Sequence, residues 1–419
     1  MAIPRIFLPL GYGDLFRFFL NMARPCPPER AAATITEFEQ SFAGRWGRSH
    51  GIAFCRARMA LFHYLKVLDL PPGTGVAISA LHVADFINII RLAGYRPVVI
   101  DLEPTGYGID LHDLAAKAAS GVGVIYITHL SGHATDMGRV SEIAKACGAR
   151  LVEDCSQALE ARFDGRRVGT WGHAAIFSLS LLKSVCTLNG GLLLTDDDTL
   201  AQALRLRAAK ATPISRGPLV AEAVKNMVLA AALARPIFSL AVLPLLRLTA
   251  AAGDRFAAYQ KTNKTVDLRR QLPAVFLERY SWQQARMGLD QLESLDAREN
   301  RRITLARRLR AGLRSDDAVA LPALAPGSEN TWWLFPVIAA DPAGLKTFLA
   351  DHGIDSAPML LSALSAEPAF ADLHFTAPNA EALRARTLFI PLHLGMDERD
   401  VDAIAAAIAE YQAAAGSTR

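Results

Sequence analysis

From about residue 50 to residue 210, short unbroken apolar runs alternate with stretches of helical period. Residues 76–79, 97–101, 122–128, 149–154, 174–179 and 191–195 are predicted as buried strands, several of them stopping at a polar residue. Residues 59–68, 84–93, 111–119 and 140–147 are predicted as the intervening helices. Such alternation builds βαβ units around a mostly parallel sheet covered on both faces, an α/β fold whose chemistry sits at the carboxyl ends of the strands. Ser79, Thr128, Asp154 and Ser178 stand at such ends. Residues 281–313 then read as one or two helices with many arginines on the outer face. A smaller α+β unit follows, with a strand at 333–339, a helix at 342–352, a strand at 388–391 and a helix at 397–413. The expected division is an apolar segment at 1–29, a large domain at 30–210, an apolar helical insertion at 211–280, and an interdomain helix with a small C-terminal domain at 281–419.

Apolar side chains crowd two places, 6–22 and 219–248. Within the second, the 21 residues 226–246 hold one charge, Arg235, followed at once by Pro236. A membrane-spanning helix needs roughly 20 apolar residues. A central arginine costs such a span roughly 2.5 to 3.5 kcal/mol, and the proline kinks it. Two short helices, 221–234 and 236–248, are therefore expected instead of one span. They either pack on a partner subunit or lie in a membrane interface with Lys225, Arg235 and Arg247 toward the headgroups.

Composition narrows the class. Of 419 residues, 51% are hydrophobic and 21% charged, which excludes general disorder. The net charge of +4, from 45 basic and 41 acidic side chains, argues against a protein that tracks nucleic-acid phosphates. Cys26, Cys55, Cys147, Cys155 and Cys186 include no CxxC pair, so neither a disulfide framework nor a zinc ribbon is expected, and a reducing compartment is. Gly11, Tyr12, Gly13 and Asp14 interrupt the N-terminal apolar run, which argues against a cleaved signal. A cytoplasmic enzyme is expected, peripheral to the inner face of a membrane if the insertion meets lipid. His129 and His133 have no cysteine or carboxylate cluster at ligand spacing, so no metal is expected. Asn263-Lys264-Thr265 fits a glycosylation sequon that has no meaning in that compartment.

The chemistry concentrates in 151–191. A strand ends in Glu153-Asp154, followed by Cys155-Ser156-Gln157, three glycines (Gly165, Gly169, Gly172), a strand ending Phe177-Ser178, and Lys183 five residues later. A pyridoxal phosphate enzyme needs a lysine for the aldehyde, a carboxylate opposite the pyridine nitrogen, and donors for the phosphate. Asp154 and Lys183 at these strand ends would place a carboxylate and an amine on opposite sides of one planar ring, with Ser178 near the phosphate.

These residues resemble the DegT/DnrJ/EryC1/StrS sugar aminotransferases, of pyridoxal-phosphate fold type I. The family's ED-x-x-Q motif matches Glu153 through Gln157, and its glycine-spaced run ending FS-x-x-x-x-K matches Gly165 through Lys183 without a gap. Its H-L-x-G-H-x-x-D-M matches His129 through Met137, GL-x-QL matches Gly288 through Leu292, and L-x-LPLH matches Phe389 to His393. The resemblance implies a large domain with a mostly parallel sheet, a smaller C-terminal α+β domain, and homodimers with sites at the interface. It implies Lys183 as the Schiff-base lysine, Asp154 as partner of the ring nitrogen, Gln157 at the phenolic oxygen and Ser178 at the phosphate. His82 falls nearest the family's ring-stacking aromatic. The small-residue phosphate turn falls on Arg56 through Leu61, so Ala57 and Arg58 are cofactor-binding candidates, with helix-start amides suited to an anion.

Departures from the pattern bear on the substrate. Leu277-Glu278-Arg279 stands where the family has Asn-Tyr-Arg, whose Asn reaches the partner subunit's phosphate, and Arg58 is the candidate replacement. The small domain lacks the usual Y-P-x-P-x-H segment and has 355–360 in its place. The resemblance therefore implies an aminotransferase acting from an amino donor, glutamate, on a keto sugar linked to a nucleotide, while the altered small domain and the insertion suggest a lipid carrier instead. Two alternatives stand beside it. One is another pyridoxal-phosphate reaction such as dehydration, against which Lys183 argues, because the family's dehydratase carries histidine there. The other is a catalytically silent scaffold or membrane-docking protein, which need not keep both Asp154 and Lys183.

Overall fold

The computed structural model describes residues 1–246 and 266–417. The sequon at 263–265 and the last residues of the helix expected at 236–248 lie outside them. The large unit carries a seven-stranded sheet built from β1 (His50–Phe54), β2 (Gly75–Ser79), β3 (Arg96–Ile100), β4 (Val122–Thr128), β5 (Arg150–Asp154), β6 (Ala174–Ser178) and β7 (Gly191–Thr195), in the order β1-β7-β6-β5-β4-β2-β3. Strands β2 to β6 pair in parallel, whereas β7 runs antiparallel to both β6 and β1. The six expected strands are present within a residue or two of their predicted ends. Strand β1 is the addition: its five residues pair with β7, far along the chain, so no local period announces it.

Two helices precede the sheet, α1 (Tyr12–Ala23) and α2 (Pro28–Arg45), and α3 (Ala57–Val67), α4 (Asp85–Ala93), α5 (Leu111–Ala118) and α6 (Met137–Cys147) connect its strands. Helices α5 and α6 start on Asp110 and Asp136, whose carboxylates accept backbone N–H groups of the first turn. One core lies on each face: Met59, Leu65, Ile78, Ile90 and Tyr126 on the α3–α4 side, and Phe38, Phe42, Ile125, Leu151 and Phe177 on the α2 side. Alternate residues of one strand, such as Ile125 and Tyr126, thus feed opposite cores.

After α7 (Asp198–Ala209) the insertion begins with α8 (Arg216–Leu233), and a second helix spans 235–246, its middle wound as a π-helix at Phe238–Val242. The two meet at a 66° bend at Ala234, where Pro236 follows. Among the described residues no single helix is long and apolar enough to cross a membrane. Helices α9 (Trp282–Leu292) and α10 (Leu295–Gly312) lead to the small unit. There β8 (Phe335–Ala339) and β9 (Thr387–Ile390) pair antiparallel, covered by α11 (Pro342–Asp351) and α12 (Glu398–Ser417) over a third core that includes Phe335, Val337, Leu349 and Ile404.

The N-terminal ten residues are fastened to the small unit. Arg5 grips Asp355 with two hydrogen bonds of 2.7 and 2.6 Å. His393 Nε2 lies 2.9 Å from the Pro4 carbonyl oxygen, and Phe7 stacks on the His393 ring at 5.7 Å. At the far end, the Ala2 N–H donates to Ser239 Oγ, so the chain start also touches the insertion.

Candidate active site

Glu153 and Asp154 end β5 and, being neighbours on a strand, face opposite sides of the sheet. Glu153 accepts the backbone N–H groups of Gly169 (2.6 Å), Trp171 (2.7 Å) and Gly172 (2.8 Å), and His129 Nε2 stands 3.4 Å away. His129, Glu153 and Cys155 come within 4.8 Å of one another, a metal-like spacing. Both oxygens of the carboxylate are already taken by backbone donors, so the group fastens the 169–172 loop beneath the sheet.

Asp154 faces the site. It is buried, accepts the Ser156 N–H at 3.0 Å, and lies 3.6 Å from His82 Nε2. Burial alone pushes its carboxyl up; the His82 imidazole and the Ser156 contacts outweigh that and hold it below the usual carboxylate range. His82 Nε2 is also 2.9 Å from Thr128 Oγ1 at the end of β4, and the ring packs edge-on against Phe86 at 4.5 Å. The backbone of His82 pairs with Ser362, so a two-strand ribbon stitches the small unit to this loop. Gln157, buried beyond Asp154, accepts the Ser131 N–H at 2.9 Å.

Strand register builds the next corner. Ser178 stands opposite Gly191, and Gly191 opposite Phe54, so the end of β6 and the chain entering α3 meet across one glycine. A Cβ on Gly191 would lie 2.3 Å from the Ala57 nitrogen and 2.4 Å from its Cα, so only glycine admits the helix start this close. Ser178 Oγ is 2.9 Å from Ser180 Oγ. Arg58, on the first turn of α3, donates to Asp85 Oδ2 at 2.6 Å, and Arg269 donates to the other oxygen at 2.6 Å. Both guanidinium groups lie over the Phe276 ring, at 5.3 and 5.9 Å. The positive charge expected from Arg58 is thus shared with Asp85. Arg279, in the stretch that replaces Asn-Tyr-Arg, donates to the carbonyls of Ala209 and Ala211 and ties that stretch to the end of α7.

Lys183 sits just past β6 on a turn in which its N–H donates to Ser180 O. Its Nζ lies 3.5 Å from the centroid of the Trp333 ring. Burial lowers the amine to about 7, against the attraction of Asp154 and with repulsion from Arg302. The side chain lines an open cleft together with Phe7, Arg298, Arg302, Trp333 and His393.

The sequence pattern does not single out two of these lining residues. Arg302 belongs to a helix expected to turn its arginines outward, yet it is 92% buried, pairs with Glu299, and donates to Thr331 O and Ser184 Oγ at 3.1 Å each. Its signal was the Glu-x-x-Arg spacing, which puts both charges on one helix face. Trp333 falls at the start of a predicted strand; its signal is the adjacent pair Trp332-Trp333, two of the five tryptophans in the chain.

Solved structures share this architecture over nearly the whole chain. The sugar aminotransferase CalS13 from Micromonospora echinospora superposes with a TM-score of 0.73 at 22% identity, over 97% of this chain and 99% of its own. The aminotransferase from Psychrobacter cryohalolentis gives 0.75 at 19% identity, over 98% and 99%. The fold is that of the fold type I pyridoxal-phosphate-dependent transferases. At the level of sequence, residues 30–217 and 261–409 match the DegT/DnrJ/EryC1/StrS aminotransferase family. The chain belongs to that family and is a pyridoxal-phosphate-dependent aminotransferase. Among curated relatives, the GDP-perosamine synthase of Caulobacter vibrioides is 26% identical over 385 residues, 89% of each chain.

Proposed function

We propose that the enzyme transfers an amino group from glutamate to a keto sugar, with Lys183 as the reacting amine and pyridoxal 5'-phosphate held around it. The observation that carries the reading is Lys183 itself, a cleft-lining amine that burial lowers to about 7 and that the buried Asp154 charge attracts. The kinship with a GDP-perosamine synthase supports a sugar as acceptor.

The donor set fits the cofactor. Ser178 Oγ and the start of α3 meet at the corner that a Cβ on Gly191 would fill, a cradle suited to a phosphate. Asp154 is a buried, ionised carboxylate suited to a protonated ring nitrogen. When bound, the cofactor supplies an aldehyde for an amine and a ring that accepts electrons. The remaining work falls to this chain. Ser178, the Ala57 N–H and the nearby Arg58 would hold the phosphate, Gln157 would meet the phenolic oxygen, and His82 would pack against the ring. The Asp154 carboxylate would favour a protonated ring nitrogen. Lys183 would hold the aldehyde and, when not bonded to it, could take a proton at Nζ and return it, a role suited to an amine near 7.

The test is the visible absorption of the purified chain with pyridoxal phosphate, before and after glutamate, beside Lys183→Ala. A band that glutamate bleaches and the variant cannot form is the expected result. A wild type that stays colourless with cofactor overturns the reading.

A second observation bears on the acceptor's carrier. Val224, Val228, Ile237, Leu240 and Leu245 are exposed along the insertion, Leu240 by 83%. Arg235 is turned inward onto Asp400 and the Gly395 carbonyl, while Lys225, next to Val224, is exposed and pairs with Glu222. Exposed apolar side chains on both helices of the insertion favour a lipid-linked sugar met at a membrane surface by an otherwise cytoplasmic homodimer. Flotation with anionic vesicles, lost in Val228→Glu/Leu240→Glu, is the expected outcome. A chain that never floats, and whose dimer the same double variant splits in light scattering, assigns the face to a second copy instead.

A further inference from the structure

The Lys183 amine rests against an aromatic face built for it. Its Nζ is 3.5 Å from the Trp333 ring centroid, well inside the roughly 6 Å reach of a cation–π contact. The indole is held from two directions. Its Nε1 donates to Leu182 O at 2.7 Å, one residue before the lysine. The backbone ahead of it is pressed onto the loop that follows β4: a Cβ on Gly132 would lie 2.4 Å from Trp332 N and 2.6 Å from Trp333 N, and the Thr331 N–H donates to Gly132 O. Arg302 closes the clamp by bonding Thr331 O and Ser184 Oγ, one on each side of the contact. Leu182 and Trp332 both hold positive φ, 69° and 53°, a conformation that side-chain-bearing residues adopt at a cost and that persists where surrounding contacts impose it. The two strained residues flank the indole–amine pair on either side.

We propose that Trp333 is a positioning residue whose indole face holds the unbonded Lys183 side chain in the cleft and favours its charged form. The proposal rests on the assignment of Lys183 as the reacting amine. The charged groups around the amine leave such a role to fill. Asp154 attracts it and Arg302 repels it. Arg302 is paired with Glu299 and Arg5 with Asp355. Arg298 also lines the cleft, as does His393, which burial lowers to about 4 and so keeps neutral near pH 7. His82 is engaged with Thr128 and Asp154. Burial in this cleft opposes the ammonium, and the indole face opposes burial. The amine is thereby kept protonatable near neutrality while its neutral form stays accessible, the balance a proton carrier needs.

The experiment titrates Lys183 in the full chain freed of cofactor, by competitive labelling with acetic anhydride across pH and mass mapping of the Lys183 peptide. Removing the face in Trp333→Leu is expected to lower the labelling midpoint by about 0.5 to 1.5 pH units. Trp333→Phe, which keeps a face and loses only the bond to Leu182, is expected to stay closer to wild type. Should Trp333→Leu not fold, site-specific mono-, di- and trifluorotryptophan at 333 weaken the face without changing its shape, and the midpoint is expected to fall with each fluorine. A midpoint unmoved by fluorination, or one at or above wild type in folded Trp333→Leu, overturns the proposal. So does a Trp333→Phe midpoint as low as that of Trp333→Leu, because the Leu182 bond would then be the cause. Cofactor uptake by the same wild-type preparation separates the two readings: without uptake the aminotransferase assignment of Lys183 fails, while the labelling series still decides what Trp333 does.

Discussion

His82 Nε2 stands 3.6 Å from Asp154 Oδ2, joining the imidazole at the end of one strand-to-helix turn to the carboxylate two strands away. The family resemblance puts His82 nearest the ring-stacking position; in the fold its imidazole helps hold the Asp154 carboxyl below the usual carboxylate range. Asp154→Asn keeps the shape and removes the charge, and is expected to weaken cofactor affinity by about 10- to 100-fold, the worth of one hydrogen bond to a charged group. His82→Leu leaves the carboxylate without its main support, so its proton affinity rises. Retention of the cofactor band should then fail at a higher pH than in wild type as the solution is acidified. Equilibrium dialysis and a pH series of spectra measure the two effects. Equal retention curves for wild type and His82→Leu would sink the coupling.

Gly191 predicts a different failure. A methyl group there collides with the Ala57 backbone, which no rotamer change relieves. Gly191→Ala should cost about 1 to 3 kcal/mol or more in unfolding stability, the usual toll of overpacking. It should also open the corner between Ser178 and α3, so inorganic phosphate should compete less well with cofactor than in wild type. Urea unfolding with phosphate competition checks both; a variant as stable as wild type would mean that α3 can shift freely.

The parts of this protein legible in its sequence are those set by neighbours along the chain. The parallel strands are visible as apolar runs, and 153–183 carries its motif at fixed spacing because one strand end, one loop and the next strand end supply most of the candidate site. Pro236 marked the break in the insertion correctly, since a proline acts on its own helix. The rest depends on distant partners. Arg302 is buried because Glu299, Thr331 and Ser184 satisfy it, and an arginine-rich helix gives no hint which member will find such partners. Arg58 pointed to an anion by position alone, yet Asp85 lies within its reach. Trp333 meets Lys183 from 150 residues away, over a turn set by Gly132.

The Glu299–Arg302 pair yields a third prediction. Both side chains are buried, and Glu299 is the carboxylate paired with this guanidinium. Glu299→Leu strands a buried charge and should destabilise by about 3 to 5 kcal/mol, whereas Glu299→Leu/Arg302→Leu should recover much of that loss. The single variant also leaves an uncompensated positive charge near Lys183, so the labelling midpoint of the amine should fall. Thermal unfolding of the two variants decides the first point. A double variant no more stable than the single one would show that Arg302 matters for its bonds to Thr331 and Ser184, not for its charge.

Glu39 is a buried carboxyl away from the chemistry, and it predicts how stability changes with pH. It sits on α2, accepts the Ala53 N–H at 2.7 Å, and is raised by burial to about 7 despite that bond and the Arg205 charge. A carboxyl whose folded-state pKa lies above its unfolded value of 4.5 favours folding below 4.5, and that contribution is lost as pH rises through 7. The shift corresponds to about 3 kcal/mol, reached only once the group is ionised in the folded state. Glu39→Gln keeps an acceptor for Ala53 and cannot ionise. Its stability should match wild type near pH 4 and exceed it by about 1 to 3 kcal/mol at pH 8, the gap opening between 5 and 7. Urea midpoints of both proteins at pH 4, 6 and 8 measure that gap. Parallel midpoints would mean that Glu39 is ionised throughout, with water or Arg205 reaching it through α2.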